Sequence, residues 1–199
     1  MPAPPTGALL SVFSFRRPSA EDIQAVLTAA EMEEPTYDDV GATAATMPPG
    51  YRHARYQLHL GHGPAVFARA VTALDTWQPQ LRTGIAVTPA DARPDQGQTV
   101  VQLIRMGPVW ALAACRVVYR VEQPDRVGFA YGSLSVHPVR GEEAFLIERD
   151  PAGVVRARIV VFSRPNHWVV RLGGPIGRLV QRRTAKSYLA GIRSYVLSA

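Results

Sequence analysis

The sequence predicts an α+β fold: a curved antiparallel sheet of about six to seven strands around one long C-terminal helix. Three observations carry this reading. From residue 81 the chain breaks into short runs of alternating apolar and polar residues, joined by connections too short for parallel crossovers. Residues 175–199 then run without a breaker stronger than a single glycine, which is the length of a long helix. An antiparallel sheet needs cover on its apolar face, and a helix lying across it supplies that cover, often with a cavity between the two.

Each element has its own signal. The opening MPAPPTGA is proline-rich, so residues 1–10 are expected to be disordered and residues 11–199 to form a single domain. PSAEDIQAVLTAAEMEEP reads as a helix capped by Ser19, favoured at its positive end by Glu21 and Asp22 and stopped by Pro35, with Ile23, Val26, Leu27 and Ala30 on one face. YDDVGATAATMPPG has no period and several breakers and is read as a loop. In YRHARYQLHL, Ala54, Tyr56, Leu58 and Leu60 alternate with His53, Arg55, Gln57 and His59, the pattern of a half-buried strand. After GHG, Val66, Phe67, Ala70, Val71 and Leu74 recur at helical spacing behind Pro64. Strands are then predicted at 81–88, 98–106, 109–121, 126–134, 142–149 and 153–163. In the closing helix, which starts at Pro175, one stripe holds Ala185, Tyr188, Leu189, Ile192 and Val196. Ile176, Leu179 and Val180 fall on the other side, so the second half is expected to be the better buried.

An apolar share of 47% with 19% charged residues is globular, and the longest apolar run, Val109 to Cys115, is far shorter than the ~20 residues that span a bilayer. No transmembrane segment is expected. Residues 1–10 lack the basic start and apolar stretch of a signal peptide, and Cys115 is the single cysteine, so a reducing cytoplasm fits best. The net charge of +6 is unevenly spread. Residues 1–40 carry seven acids against two arginines, while residues 151–199 carry eight arginines, one lysine and no acid. Arg178, Arg182 and Lys186 recur on one helical face, but no aromatics interleave there to stack on bases, so nucleic acid is not the expected partner. A solvated face, or an intramolecular pairing with the acidic first helix, is expected instead.

Candidate chemistry concentrates in GFAYGSLSVHPVRGEEAF. His137 with Glu142 or Glu143 has the groups of a base and its orienting partner, or of a general acid and base, and these three are the candidate catalytic residues. Against that role, the proline and glycine mark a loop, where a histidine is usually solvated, and the two glutamates must point to opposite faces of a strand. Earlier in the same stretch Gly128, Ala130 and Gly132 leave one strand face almost bare, while Val127, Phe129 and Tyr131 fill the other. Such a stripe means close approach by a backbone or room for a ligand.

His53 and His59 lie about 20 Å apart along their strand, and no third ligand accompanies His59 and His62, so no metal site is predicted. Cys115 shares a face with Ala113, Val117 and Tyr119 and reads as a buried, inert thiol. No glycine-rich phosphate loop follows a strand, and no cofactor is expected. Arg116, Arg120, Arg156 and Arg158 sit on strands and would clamp a carboxylate or phosphate if one of them faced a cavity.

The blocks YDDVGATAATMPPGYRHAR, LGHG, AVTALDTW, GFAYGSLSVHPVRGEEAF, FSRP and GPIGRLVQRR together resemble domain of unknown function (DUF) 1990, a bacterial and plant family within the Bet v 1 and START-like helix-grip superfamily. Where that family is expected to read closer to YGTLPGHPESGEE, this chain has YGSLSVHPVRGEE and keeps His137, Gly141, Glu142 and Glu143. The resemblance implies a helix-grip domain with a hydrophobic pocket between sheet and helix, and no particular activity. Related superfamily members bind lipids, hormones or polyketides, and some are cyclases or hydrolases.

The expected partner is therefore a small apolar or amphipathic molecule. Tyr51, Arg55, Arg116, Gly128 and Ala130 are expected to bind it, together with Tyr131, Gly132, Arg164 and Trp168. A second reading is a cyclase- or dehydratase-like enzyme of secondary metabolism that uses His137 with Glu142 or Glu143. A third is an interaction module that presents the basic C-terminal helix to an anionic surface.

Overall fold

A computed structural model describes residues 12–166 and 174–198, with side chains at 12–166 and 182–198. The expected disorder of residues 1–10 and the role given to Trp168 fall outside these residues. In chain order the elements are β1 (Phe13–Ser14), α1 (Ala20–Ala30), β2 (Arg52–His62), α2 (Gly63–Asp75), α3 (Gln78–Leu81), β3 (Ala86–Thr88), β4 (Thr99–Met106), β5 (Val109–Gln123), β6 (Arg126–Ser133), β7 (Val139–Arg149), β8 (Val154–Pro165) and α4 (Gly174–Leu197). A short 3-10 turn, Ala42–Ala44, interrupts the long connection between α1 and β2. The strands form one antiparallel sheet in the order β2-β8-β7-β6-β5-β4-β3, with β1 pairing along the start of β5. This is the predicted α+β architecture of curved sheet and C-terminal helix.

Local chemistry explains most boundaries. Ser19 accepts from the Asp22 amide, and the Asp22 carboxylate accepts from the Ser19 amide, a reciprocal box that starts α1. Bulges between His59 and Gly61 in β2 and between Val117 and Tyr119 in β5 bend the sheet. Two boundaries differ from expectation. The strand predicted at 81–88 is only Ala86–Thr88, because the preceding residues turn as α3 with Pro79 in its first turn. Strand β7 starts at Val139, three residues early, since Val139 and Arg140 already pair with Pro165 and Arg164 of β8.

The sheet is covered on both faces. Its inner face packs under α2, α3 and α4 around Trp77, Phe129, Phe145, Ile159, Tyr188 and Ile192, and burial of each such large side chain stabilises by about 1.5–3 kcal/mol. The stripe expected on the closing helix, Ala185, Tyr188, Leu189, Ile192 and Val196, is buried in full. The outer face packs under α1, through Val26, Leu27 and Ala30 on Val101, Leu103 and Leu112, and under Tyr37 and Met47 on Ala130, Ala144 and Phe162. Helices α1 and α4 thus lie on opposite sides of the sheet, and the acidic first helix is not the partner of the basic closing helix. No helix among the described residues is long and apolar enough to cross a membrane.

Candidate functional site

The strand alternation of β7 sends Glu142 and Glu143 to opposite faces. Glu142 turns outward and is 2% exposed. Its carboxylate accepts from the Tyr37 hydroxyl (2.8 Å), the Gly41 amide (2.7 Å), the Thr43 amide (2.9 Å) and the Thr43 hydroxyl. Thr43 in turn bonds the Tyr119 hydroxyl at 2.8 Å. Burial, and then the charge of Glu142, push Tyr37 above the usual phenol range, so it stays protonated and donates. Donors that converge from the 3-10 turn onto one carboxylate make it a structural anchor for the 37–43 segment.

Tyr37 also accounts for the bare stripe. A Cβ on Gly132 would overlap the Tyr37 hydroxyl and ring, and one on Gly128 would overlap the Phe145 carbonyl oxygen of the neighbouring strand. Of the two meanings the stripe allows, the structure shows close approach.

Glu143 turns inward. Its register neighbour Tyr131 donates to Oε2 at 2.8 Å, and among the described residues no basic group lies within ion-pair distance of it. Burial raises its carboxyl to about 7, with the Tyr131 hydrogen bond opposing the rise. Tyr188 of α4 closes over the same spot, its ring 5.5 Å from that of Phe145, which lies 5.5 Å from Tyr131. Burial, then the charge of Glu143, hold Tyr131 and Tyr188 well above the usual phenol range, so both stay protonated. Gln102 of β4, 2% exposed, lies beside the Tyr131 hydroxyl and favours its ionised form, yet its Nε2 makes no hydrogen bond of normal geometry.

Four polar groups from β4, β6, β7 and α4 therefore meet on the inner side of the sheet, three of them buried and Glu143 half-buried. A cleft of about 440 Å³ opens nearby between the α3–β3 turn, β4 and α4, lined by Thr83, Ile85, Ile104, Arg105, Arg183 and Ser187 among others. Ile104 lies two residues from Gln102 on the same face of β4, so the cleft and the cluster share that face.

Sequence reasoning named Glu143 and Tyr131 and missed Tyr188 and Gln102. Both carried a signal. Tyr188 stands in the apolar stripe of α4, where a buried tyrosine needs a partner for its hydroxyl, and Gln102 falls between Val100 and Ile104 on an otherwise apolar face.

The remaining candidates lie elsewhere. His137 holds its own loop: its Nδ1 lies 2.7 Å from the Val139 carbonyl oxygen, to which its N–H donates, and burial lowers the ring to about 4 against that bond, so it is neutral at pH 7. Among the described residues it makes no hydrogen bond to either glutamate. Of the described residues expected at a ligand, only Tyr131 faces the inner side. Tyr51, Gly128, Ala130 and Gly132 lie on the outer face, as does exposed Arg55, which pairs with outer Val160. The Arg164 guanidinium stacks 4.6 Å from the Tyr51 ring centre.

Arg116 caps the end of α1, donating to the Glu33 carbonyl at 2.7 Å and the Ala30 carbonyl at 2.8 Å. Arg120 pairs with Asp75 at 2.7 Å, Arg156 with Asp150 at 2.7 Å and Arg158 with Glu148 at 3.0 Å, so none of them is a clamp inside the fold. The His53 ring lies 2.7 Å from the Pro48 carbonyl, and no group of three or more metal-ligating residues occurs among the described residues. Arg182 and Lys186 are exposed, and the Arg178 side chain lies outside the described residues.

The family described as a domain of unknown function (DUF1990) matches residues 36–191. The chain belongs to this family. It is 36% identical to the UPF0548 protein of Deinococcus radiodurans over 191 residues, covering 89% of this chain and 95% of that protein. To the UPF0548 protein of Dictyostelium discoideum it is 30% identical over 194 residues, covering 86% and 90%. Among solved structures it is similar to Ara h 8.0201, with TM-score 0.52 and 11% identity over 75% of this chain and 100% of that one. A hypothetical protein of Helicobacter pylori gives TM-score 0.54 and 11% identity over 83% and 97%. At these identities the structural likeness shows the fold alone, a Bet v 1-like grip of sheet on helix.

Proposed function

We propose that this DUF1990 protein is a cytoplasmic binder of a small amphipathic molecule, taken between the inner face of the sheet and α4, with Tyr131, Glu143, Tyr188 and Gln102 meeting its polar end. One observation carries the proposal: Glu143 is a carboxylate set among aromatic side chains with a single donor and no basic partner among the described residues. A half-buried carboxylate beside an apolar core, with one oxygen left for an incoming group, supports a role other than packing. Phe129, Phe145 and the two tyrosines offer an apolar wall, and the cleft beside Ile104 offers an approach.

A second reading, proton transfer on a bound substrate, is favoured by a carboxyl that titrates near neutral pH. Glu143 would then be the group that moves the proton, Tyr131 would orient it, and neither Glu142 nor His137 would take part.

Native mass spectrometry of the protein purified from its own host tests the binding reading. A retained small-molecule adduct is expected, depleted in Ile104→Trp, which narrows the cleft, and in Glu143→Leu. An adduct that survives both changes would place the ligand elsewhere, and conversion of the released compound by fresh protein would favour the enzymatic reading.

A further inference from the structure

The inner cluster has a definite chemical deficit. Glu143 is half-buried: one carboxylate oxygen accepts from the Tyr131 hydroxyl, and Oε1 receives no donor among the described residues and is left for an incoming group. Among the described residues, the titratable groups that feel its charge are two tyrosines and a thiol, none of them cationic. Tyr131 comes from β6, Tyr188 from α4 and Cys115 from β5, and the thiol is pushed up by burial and then by the charge of Glu143 itself. From β8 the register neighbour is apolar Val161. What surrounds the carboxylate is aromatic: Phe145 stacks on Phe129 at 5.4 Å and lies 5.5 Å from both Tyr131 and Tyr188. Aromatic faces around an unpaired carboxylate favour a cation, because the ring quadrupoles and the carboxylate attract the same charge. An anionic head group would instead meet repulsion from Glu143.

We infer that the polar end of the ligand is a protonated amine, paired with Glu143 and enclosed by the rings of Phe145, Tyr131 and Tyr188, while its apolar part lies along the inner face of the sheet. The inference rests on the proposal that a ligand occupies this interior. Pairing with an ammonium favours ionised Glu143, so binding should release a proton near pH 7 and strengthen as pH rises through 7, until the amine itself loses its charge.

The test is isothermal titration of the full chain at pH 7.5 with three probes on one alkyl chain: decylamine, decanol and decanoic acid. Decylamine should bind at least about tenfold more tightly than decanol, with proton release visible as a heat that depends on the buffer. In Glu143→Gln the amine should lose its advantage over decanol. The wild-type comparison and the proton release need no variant, so they stand whether or not Glu143→Gln folds well. Equal or tighter binding of decanol or decanoic acid, or an amine preference that survives Glu143→Gln, overturns the amine assignment and leaves interior binding standing. If none of the three probes binds, both the inference and the binding proposal fall.

Discussion

Glu142 faces the outer layer and collects donors from Tyr37, Gly41 and Thr43, whereas Glu143, one residue on, faces α4 and collects one, from Tyr131. The two residues share chemistry and strand, but Glu142 is buried and Glu143 only partly so, and the neighbouring elements bring each a different set of partners. On the outer face a 3-10 turn aims backbone amides at the carboxylate and ties a long connection to the sheet. On the inner face the aromatic side chains bring one donor, the Tyr131 hydroxyl, and leave the half-buried carboxylate otherwise unpaired among the described residues. A buried acid with its donors in place is architecture, and one left short of donors is a candidate for recognition or proton transfer.

The largest effect that tests this contrast should come from Glu142→Ala. It leaves two amides and two hydroxyls without their acceptor, and we expect a loss of about 3–5 kcal/mol in denaturant unfolding. A loss below about 1 kcal/mol would mean that the outer glutamate is not an anchor. Next in size is Gly132→Ala, which forces Tyr37 away from Glu142 and should cost about 1–3 kcal/mol. That cost should be non-additive with Tyr37→Phe in a double-mutant cycle, and strict additivity would break the proposed link.

The inner glutamate should show itself through pH. Its carboxyl is raised to about 7 in the fold against 4.5 ordinarily, so it is neutral in both states below 4.5, and stability falls as pH climbs from 4.5 to 7. Glu143→Gln should remove that slope and be the more stable form at pH 7.5 by about 1–2 kcal/mol, with the gap closing toward pH 4. His137 acts in the opposite sense. Its ring is lowered to about 4 against 6.5, so it contributes stability above 6.5 that is lost as pH falls toward 4, and His137→Asn should flatten that acid limb. Thermal melts across pH 4 to 8 separate the two slopes, and unchanged profiles in both variants would refute the pair of assignments. The smallest effect belongs to Arg55→Ala, exposed on the outer face: within about 0.5 kcal/mol of wild type, with ligand binding intact.

Much of the fold was legible because it follows from local rules. Ser19 with Asp22 announces the start of α1, the alternation in β2 and β8 follows strand geometry, and the stripe from Ala185 to Val196 picked out the buried side of α4 before any packing was known. The opposed directions of Glu142 and Glu143 also follow from alternation alone. The contraction of β3 was hidden, because Leu81–Thr88 reads as apolar enough for a strand until α3 claims its start.

The sequence of β6 shows a bare side and a filled side, and nothing local says which of them α4 covers. Only the pairing of all eight strands and the return of residues 35–51 over the outer face place Tyr37 on Gly132 and leave Tyr131 beneath α4. Thus the element order apart from β1 and α3, the strand faces and the family follow from the residues in line. The environments that separate one glutamate from the next depend on contacts such as Tyr37 with Glu142, 105 residues apart, which exist only once burial has closed the fold.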